Sequence, residues 1–143
     1  MKTSCGVVLL NEFDEVLLAH ATEQSHWDIP KGGPEPQESD LQAALRELRE
    51  ETGVVLSSQE LQELGEFSYR RDKKLSLFLA RVVKSRIDPA QCVCTSYFAD
   101  HRDEQVPEVD AFAWVAWADL SKFCTPRMCG VLETTRAQFD RRD

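Results

Sequence analysis

Three glutamates with helical spacing are the residues of this chain best suited to chemistry. Glu47, Glu50 and Glu51 stand at positions i, i+3 and i+4 of a segment, residues 39–52, whose apolar pattern predicts a helix. On a helix the three carboxylates share an arc of about 100°. Like charges at this spacing repel, and a divalent cation removes the repulsion. Carboxylate oxygens are hard ligands of the kind that Mg²⁺ and Mn²⁺ take.

The alternative for the same residues is a solvated acidic helix face. Arg46 and Arg49 would then act as i,i+4 partners of the acids. The flanking sequence decides against this alternative. The segment from residue 32 to residue 54 matches G-x5-E-x7-R-E-U-x-E-E-x-G-U, where U is a bulky apolar residue. The matching residues are Gly32, Glu38, Arg46, Glu47, Leu48, Glu50, Glu51, Gly53 and Val54.

This segment resembles the Nudix box, the signature of the Nudix hydrolases. The resemblance implies that Glu47, Glu50 and Glu51 hold one to three Mg²⁺ or Mn²⁺ ions. A backbone carbonyl of the turn at Lys31 and Gly32 would add a ligand. The resemblance also implies a reaction: hydrolysis of the diphosphate linkage in a nucleoside diphosphate joined to some other group, X.

Two further members of the box would support the metal ligands. Glu38 and Arg46 would form an ion pair that orients the glutamates. A loop carboxylate near the helix N-terminus is the alternative for Glu38. Gly32 and Gly53 would permit the loop and helix-end geometry.

A carboxylate must also accept a proton from the attacking water. We predict Glu50 or Glu47 in this role. Some members of the family place the base on a late loop, where Glu104 and Glu108 are candidates here. Each of these two is otherwise a solvated loop acid.

The residues before the box indicate a substrate class. Residues 27–33 (WDIPKGG) are similar to the W-x-x-P-K-G-G segment of diadenosine tetraphosphate hydrolases and diphosphoinositol polyphosphate phosphohydrolases. Lys31 could contact a phosphate as a point charge, or be a surface lysine of which only the backbone is used. Trp27 could be core or a stacking platform for a base.

A basic cluster at residues 70–74 (RRDKK) stands out in a chain of net charge −8. It could hold a polyphosphate, or be a charged hairpin turn that blunts a sheet edge. The candidate phosphate-binding residues are Tyr69, Arg70, Arg71, Lys73 and Lys74.

The elements that must position these residues form a mixed α/β pattern. We predict strands at 4–10, 15–20, 63–71, 75–83 and 110–117, with the first two joined as a hairpin. Ser39 and Gln42 make a capping box for the helix, which Gly53 ends. A second helix is expected at 130–140, and residues 85–109 are expected to be mainly loop. The order of elements predicts an α/β (α+β) sandwich. The resemblance to the Nudix box implies that this is the Nudix αβα sandwich with a mixed sheet.

Composition sets the remaining expectations. A length of 143 residues favours one domain over 1–143. The acidic balance argues against a broad basic face for nucleic acid. The five cysteines lack framework or zinc spacing, so we expect reduced thiols in a cytoplasmic protein. We also expect a protein without membrane segments that is a monomer or a homodimer.

The leading hypothesis is a metal-dependent pyrophosphohydrolase that prefers dinucleoside polyphosphates. The alternatives are a diphosphoinositol polyphosphate or nucleotide-sanitising pyrophosphatase, or a nucleotide-binding Nudix module without catalysis.

Overall fold

A mixed β-sheet lies at the centre of the fold, in a computed structural model that describes residues 1–142. Its strands are β1 (Lys2–Leu10), β2 (Glu15–Ala21), β3 (Trp27–Asp28), β4 (Lys31–Gly32), β5 (Gln62–Arg70), β6 (Lys73–Arg81) and β9 (Val109–Ala116). A separate hairpin consists of β7 (Tyr97–Ala99) and β8 (Gln105–Pro107). Helix α1 spans Asp40–Thr52 and helix α2 spans Pro126–Arg142.

The sheet opens between β1 and β2. The single Cα pairing that joins these strands in the described chain is Leu10↔Val16, so the predicted hairpin exists at its turn and no further. Beyond that pair, β1 continues along β6 in parallel register and β2 continues along β9 in antiparallel register. Residues 27–32 fill the opening, because β3 pairs with β2 and β4 pairs with β1. The loop that carries Lys31 and Gly32 is thereby fixed in the middle of the fold.

Alternation along the strands supplies one apolar face to each helix. On β1, Cys5, Val7 and Leu9 face α1, whereas Val8 and Leu10 face α2. The helices contribute fully buried side chains to these faces, including Leu48 on α1 and Leu132 and Phe139 on α2. Both faces of β1 are therefore apolar, as a strand buried on both sides requires. This arrangement confirms the predicted αβα sandwich with a mixed sheet.

Two boundaries differ from those predicted. Helix α2 begins at Pro126 rather than at residue 130, because proline suits the first helical position and Thr125 Oγ1 accepts the backbone N–H of Met128 at 3.3 Å. The turn after β5 contains only residues 71–72, since Lys73 and Lys74 already belong to β6.

The long segment between β6 and β9 carries more structure than expected. It includes short 3₁₀ turns at Lys84–Arg86 and Pro89–Gln91 and the β7–β8 hairpin. These elements could not be predicted from the sequence, because each is only three residues long and carries no periodic signal. Within the described residues, neither helix has the length and apolar character that a membrane crossing requires.

Candidate active site at the opening of the sheet

Helix α1 is fixed at both ends by the residues that the sequence indicated. Ser39 accepts the backbone N–H of Gln42 at 3.1 Å, and Gln42 accepts the backbone N–H of Ser39 at 2.9 Å. Gly53 takes a left-handed conformation with φ 82° and donates its N–H to the carbonyl of Arg49. Leu48 is fully buried against the sheet, so the neighbouring carboxylate face is held against β4.

Glu47 lies directly over the backbone of Gly32. A Cβ built at Gly32 would come within 2.2 Å of the Glu47 carboxyl carbon. A side chain at this position would have to displace the Glu47 carboxylate, so glycine keeps that carboxylate in place. The close approach also places the Gly32 backbone within reach of any group that the Glu47 carboxylate holds.

Glu51 is the most strongly perturbed acid of the site. It is 7% exposed, and it accepts the backbone N–H of Lys31 at 3.3 Å. Burial, followed by repulsion from Glu47, raises the pKa of Glu51 from 4.5 to about 8. Burial also raises the pKa of Glu47, although the Arg46 guanidinium opposes that shift.

Arg46 is the hub of the acidic cluster. It binds Glu38 in a bidentate pair at 2.9 and 3.0 Å, which lowers the pKa of the Glu38 carboxyl. It also donates to Glu47 at 3.0 Å, to Glu50 at 3.1 Å and to the carbonyl of Gly33 at 2.9 Å. Glu50 is the outermost of the three box glutamates, with its side chain 32% exposed.

The charge at this site is unbalanced in a way that suits a divalent cation. One guanidinium faces Glu38, Glu47 and Glu50, and the buried Glu51 adds a further carboxylate beside Glu47. Buried carboxylates that repel each other are costly unless a cation is shared between them. The oxygen-only donor set is the type that Mg²⁺ or Mn²⁺ prefers. The carboxylates at this site are therefore suited to bind a divalent metal ion.

Of the two late-loop acids, the structure brings Glu108 to the site. Glu108 and Glu51 line the same pocket of about 140 Å³, together with Lys31 and Asp28. Burial is the largest cause of the upward pKa shifts of Glu47 and Glu51, and the charge of Glu108 adds to both shifts. Glu104 lies elsewhere, at the β7–β8 turn, where its carboxylate is 3.3 Å from the Arg102 guanidinium.

Lys31 lines the same pocket as Glu51 and Glu108, next to Asp28. Its Nζ lies 3.2 Å from the Asp28 carboxylate, and its side chain is 19% exposed. Burial alone would lower the pKa of Lys31, but the charge and hydrogen bond of Asp28 outweigh burial and raise it. Asp28 was missed as a site residue, although its i, i+3 spacing to Lys31 is visible in the sequence.

Part of the basic cluster adjoins Lys31. The Arg70 guanidinium and Lys73 Nζ lie 5.6 and 5.9 Å from the centre of the Tyr69 ring. Burial, with repulsion from Lys31 and Arg70, lowers the pKa of Lys73. These four residues form a positively charged surface next to the pocket that Glu51 lines, which we call the cation side.

The other members of the basic cluster point elsewhere. Lys74 follows Lys73 on β6 and therefore faces the opposite side of the sheet, where it pairs with Glu66 at 2.9 Å. Arg71 is exposed in the turn. The structure thus unites Tyr69, Arg70 and Lys73 with Lys31, and separates Lys74 from them.

The family follows from a match over most of the chain. The model of the NUDIX domain matches residues 2–131. The chain therefore belongs to the Nudix family, as the box at residues 32–54 indicated. It is a Nudix hydrolase, that is, a pyrophosphohydrolase. Members of this family generally use divalent metal ions and act on small nucleotide substrates.

Two relatives illustrate the range of the family near this chain. An uncharacterized 17.7 kDa protein of Enterobacteria phage T4, from the e-segB intergenic region, is 35% identical over 125 residues, which are 80% of this chain and 83% of the phage protein. An RNA pyrophosphohydrolase of Photorhabdus laumondii is 31% identical over 124 residues, covering 81% of this chain and 69% of that protein.

Solved structures share the fold. The Ap4A hydrolase of C. elegans, as a binary complex, superposes with a TM-score of 0.68 at 23% identity over 96% of this chain and 98% of its own. The NUDIX domain of Shewanella oneidensis NrtR with ADP ribose gives a TM-score of 0.72 at 20% identity over 97% and 88%. At such identities the likeness concerns the architecture.

Proposed function

We propose that the protein is a Mg²⁺- or Mn²⁺-dependent pyrophosphohydrolase of nucleoside diphosphate-X substrates that prefers dinucleoside polyphosphates such as diadenosine tetraphosphate. The observation that carries the proposal is the adjacency of two opposite charge clusters. Buried carboxylates on α1 and cations around Tyr69 meet at one opening of the sheet. A long polyphosphate can contact the cations with its distal phosphates while the scissile linkage lies beside the carboxylates.

The carboxylates of α1 would hold the metal ions. Glu47, Glu50 and Glu51 supply carboxylate oxygens, and the Gly32 backbone beside Glu47 supplies a carbonyl. When bound, such ions neutralise phosphate charge and lower the pKa of coordinated water. Arg46 keeps the ligands oriented through its bonds to Glu47 and Glu50, and Glu38 in turn fixes Arg46.

The proton of the attacking water needs an acceptor, and we propose Glu108. Glu47 and Glu50 each accept a hydrogen bond from Arg46, so each carboxylate is already engaged by a guanidinium. The Glu108 carboxylate has no hydrogen bond or ion pair within the described residues, and it lines the pocket beside Glu51. Comparing kcat of Glu108→Gln with kcat of Glu50→Gln and Glu47→Gln, at saturating Mg²⁺, tests this assignment.

RNA with a 5′-triphosphate is the second candidate substrate. It is favoured by the relatives named RNA pyrophosphohydrolases, one of which is 31% identical over 124 residues. Its phosphates would use the same cations, but its chain would need surface outside the opening. The net charge of −8 makes a long RNA contact less favourable than a compact nucleotide.

A substrate panel decides between these possibilities. Phosphate release would be measured with Mn²⁺ and with Mg²⁺ on diadenosine tetraphosphate, ADP-ribose, an oxidised nucleoside triphosphate, a diphosphoinositol polyphosphate and a 5′-triphosphorylated oligoribonucleotide. We expect the highest kcat/KM on diadenosine tetraphosphate. A higher kcat/KM on the oligoribonucleotide would identify RNA as the preferred substrate. Binding without turnover on every compound would contradict the proposal that the protein is an enzyme.

Organisation and location remain proposals. We propose one Nudix domain over residues 1–143 that acts in the cytoplasm as a monomer or homodimer, without membrane or nucleic-acid partners. Light scattering coupled to gel filtration would measure the molar mass in solution. A tetramer or larger species would contradict the proposed oligomeric state.

A further inference from the structure

The segment 93–96 crosses the carboxyl end of α1 and bonds to it. Val93 donates its backbone N–H to the carbonyl of Thr52 at 3.0 Å. Thr95 donates both its backbone N–H, at 2.6 Å, and its hydroxyl, at 3.2 Å, to the carbonyl of Glu50. These bonds satisfy carbonyls that the end of a helix leaves without intrahelical donors. They also tie the segment to the turn of helix that carries Glu50 and Glu51.

The same segment leads directly to Glu108. The carbonyl of Ser96 accepts the backbone N–H of Glu108 at 2.9 Å, and the carbonyl of Glu108 accepts the backbone N–H of Thr22 at 3.1 Å. Both backbone groups of Glu108 are thus occupied. A continuous path of hydrogen bonds therefore runs from the carbonyl of Glu50, through Thr95 and Ser96, to Glu108.

Cys94 anchors the middle of this path from the apolar side. It is 7% exposed and packs with Ala19 and Val109, the residue after Glu108. Its thiol donates to the carbonyl of Ser96 at 3.2 Å, the carbonyl that also accepts the N–H of Glu108. Packing fixes the segment against β9, and among the described side chains of 93–96 it is that of Thr95 that bonds to the helix.

We infer that Thr95 is a positioning residue, whose hydroxyl bond to the Glu50 carbonyl holds Glu108 at its working distance from the carboxylates of α1. This inference rests on the role proposed for Glu108. Proton transfer requires heavy atoms within hydrogen-bond reach, so a small displacement of Glu108 reduces turnover without preventing substrate binding.

The first test replaces only the hydroxyl. Thr95→Val keeps the shape and the backbone N–H but removes the side-chain bond to Glu50, whereas Thr95→Ser keeps that bond. We expect kcat of Thr95→Val to fall about fivefold, the equivalent of one ordinary hydrogen bond, with KM unchanged. Thr95→Ser should retain the parent kcat. A matched control is Thr134→Val, because Thr134 makes the same type of bond on α2, to the carbonyl of Gly130 at 3.1 Å.

The second test asks whether Thr95 acts through Glu108. In the background of Glu108→Gln, the change Thr95→Val should cause no further loss, since the group that it positions no longer accepts the proton. Independent losses that multiply, or a fall in kcat equal to that of Thr134→Val, would overturn the inference. Equal kcat for Glu108→Gln and the parent enzyme would overturn it as well.

A third measurement does not depend on turnover. Hydrogen exchange at the backbone N–H of Glu108 should be several times faster in Thr95→Val than in the parent protein, and unchanged in Thr134→Val. Unchanged exchange at Glu108 overturns the inference whatever the enzyme acts on. If exchange were faster in Thr95→Val but the parent protein were inactive on the whole substrate panel, the proposed function would be wrong. The hydrogen-bonded path from Glu50 to Glu108 would still be supported.

Discussion

The two sides of the opening are built in different ways. The carboxylate side consists of Glu47, Glu50 and Glu51 on a single helix, with two of the three buried. The cation side combines the β3–β4 segment with the ends of β5 and β6, and its outer members are exposed or half-buried. One side is thus local in sequence and shielded from solvent, and the other is assembled from distant segments and open to it.

This difference sets the strength of each side. Charges in a buried cluster interact through a medium of low polarity, so a single change there is expected to be severe and insensitive to salt. Exposed cations are screened within a Debye length of about 8 Å at physiological ionic strength. Changes on the cation side should therefore be modest and salt-dependent, and they should depend on the length of the substrate.

The strongest test of the carboxylate side is Glu51→Gln. The change keeps the shape but removes one ligand charge, and we expect kcat/KM to fall by about 10³-fold or more with the fold intact. Turnover assays at saturating Mg²⁺ and circular dichroism would measure both. Glu133→Gln on the exposed face of α2 is the matched control. Near-parent rates for Glu51→Gln would show that the metal site is wrongly assigned.

Arg46→Lys separates charge from geometry on the carboxylate side, because it keeps the positive charge and removes the forked guanidinium. Lysine cannot reproduce the fork that holds Glu38 while also reaching Glu47, Glu50 and the Gly33 carbonyl. We expect a loss of about 10–100-fold in metal affinity or kcat, typical for groups that orient ligands. If the activity of Arg46→Lys matched the parent, charge alone rather than the bidentate geometry would suffice.

The cation side is tested by Arg70→Ala/Lys73→Ala. Each exposed contact is worth about 0.5–1 kcal/mol, so the pair should cost a factor of about 5–30 in kcat/KM on diadenosine tetraphosphate. The loss should be smaller on ADP-ribose and should shrink as salt rises. Lys74→Ala is the control, since Lys74 pairs with Glu66 on the other face. Equal losses on both substrates would remove the basis for a long-substrate preference.

A further effect of the buried carboxylates is on stability without metal. Burial and Glu47 raise the pKa of Glu51 from 4.5 to about 8, so the neutral carboxyl contributes stability below pH 4.5 that is lost as the pH rises through 8. Between about pH 5 and pH 8, the melting temperature in EDTA should fall by several degrees, and Mg²⁺ should reverse the fall. Glu51→Gln should flatten this decline, and a flat profile in the parent protein would contradict the shift.

Hydrolysis by the metal-loaded enzyme should rise towards alkaline pH, because it needs ionised carboxylates and metal-activated water. An optimum near pH 5 would contradict this expectation.

The helix shows how far local sequence reaches. Ser39, Gln42 and Gly53 set its ends, as the capping pattern in the sequence predicted. The adjacency of Glu47 and Gly32 was implied by the Nudix box, but the reason for it, a carboxylate that leaves no room for a Cβ, is visible only in three dimensions.

Other features depended on contacts between distant segments. The sequence could not choose between Glu104 and Glu108, because the choice depends on where the β7–β8 hairpin turns. It could not separate Lys73 from Lys74 either, since the boundary between turn and strand decides which face each occupies. The predicted hairpin of β1 and β2 was longer than the observed one for a similar reason. Each strand pairs over most of its length with a strand from elsewhere in the chain.

The sequence by itself determined the helix with its three carboxylates, because capping, periodicity and residue spacing are local properties. The family and its sandwich fold were implied by the resemblance of residues 32–54 to the Nudix box. The tertiary structure alone decided which groups from other segments reach that helix. Glu108, Lys31 and Thr95 come to α1 through strand pairing and helix-end hydrogen bonds between residues far apart in the chain. Such pairings depend on the packing of the whole sheet, which no short segment encodes.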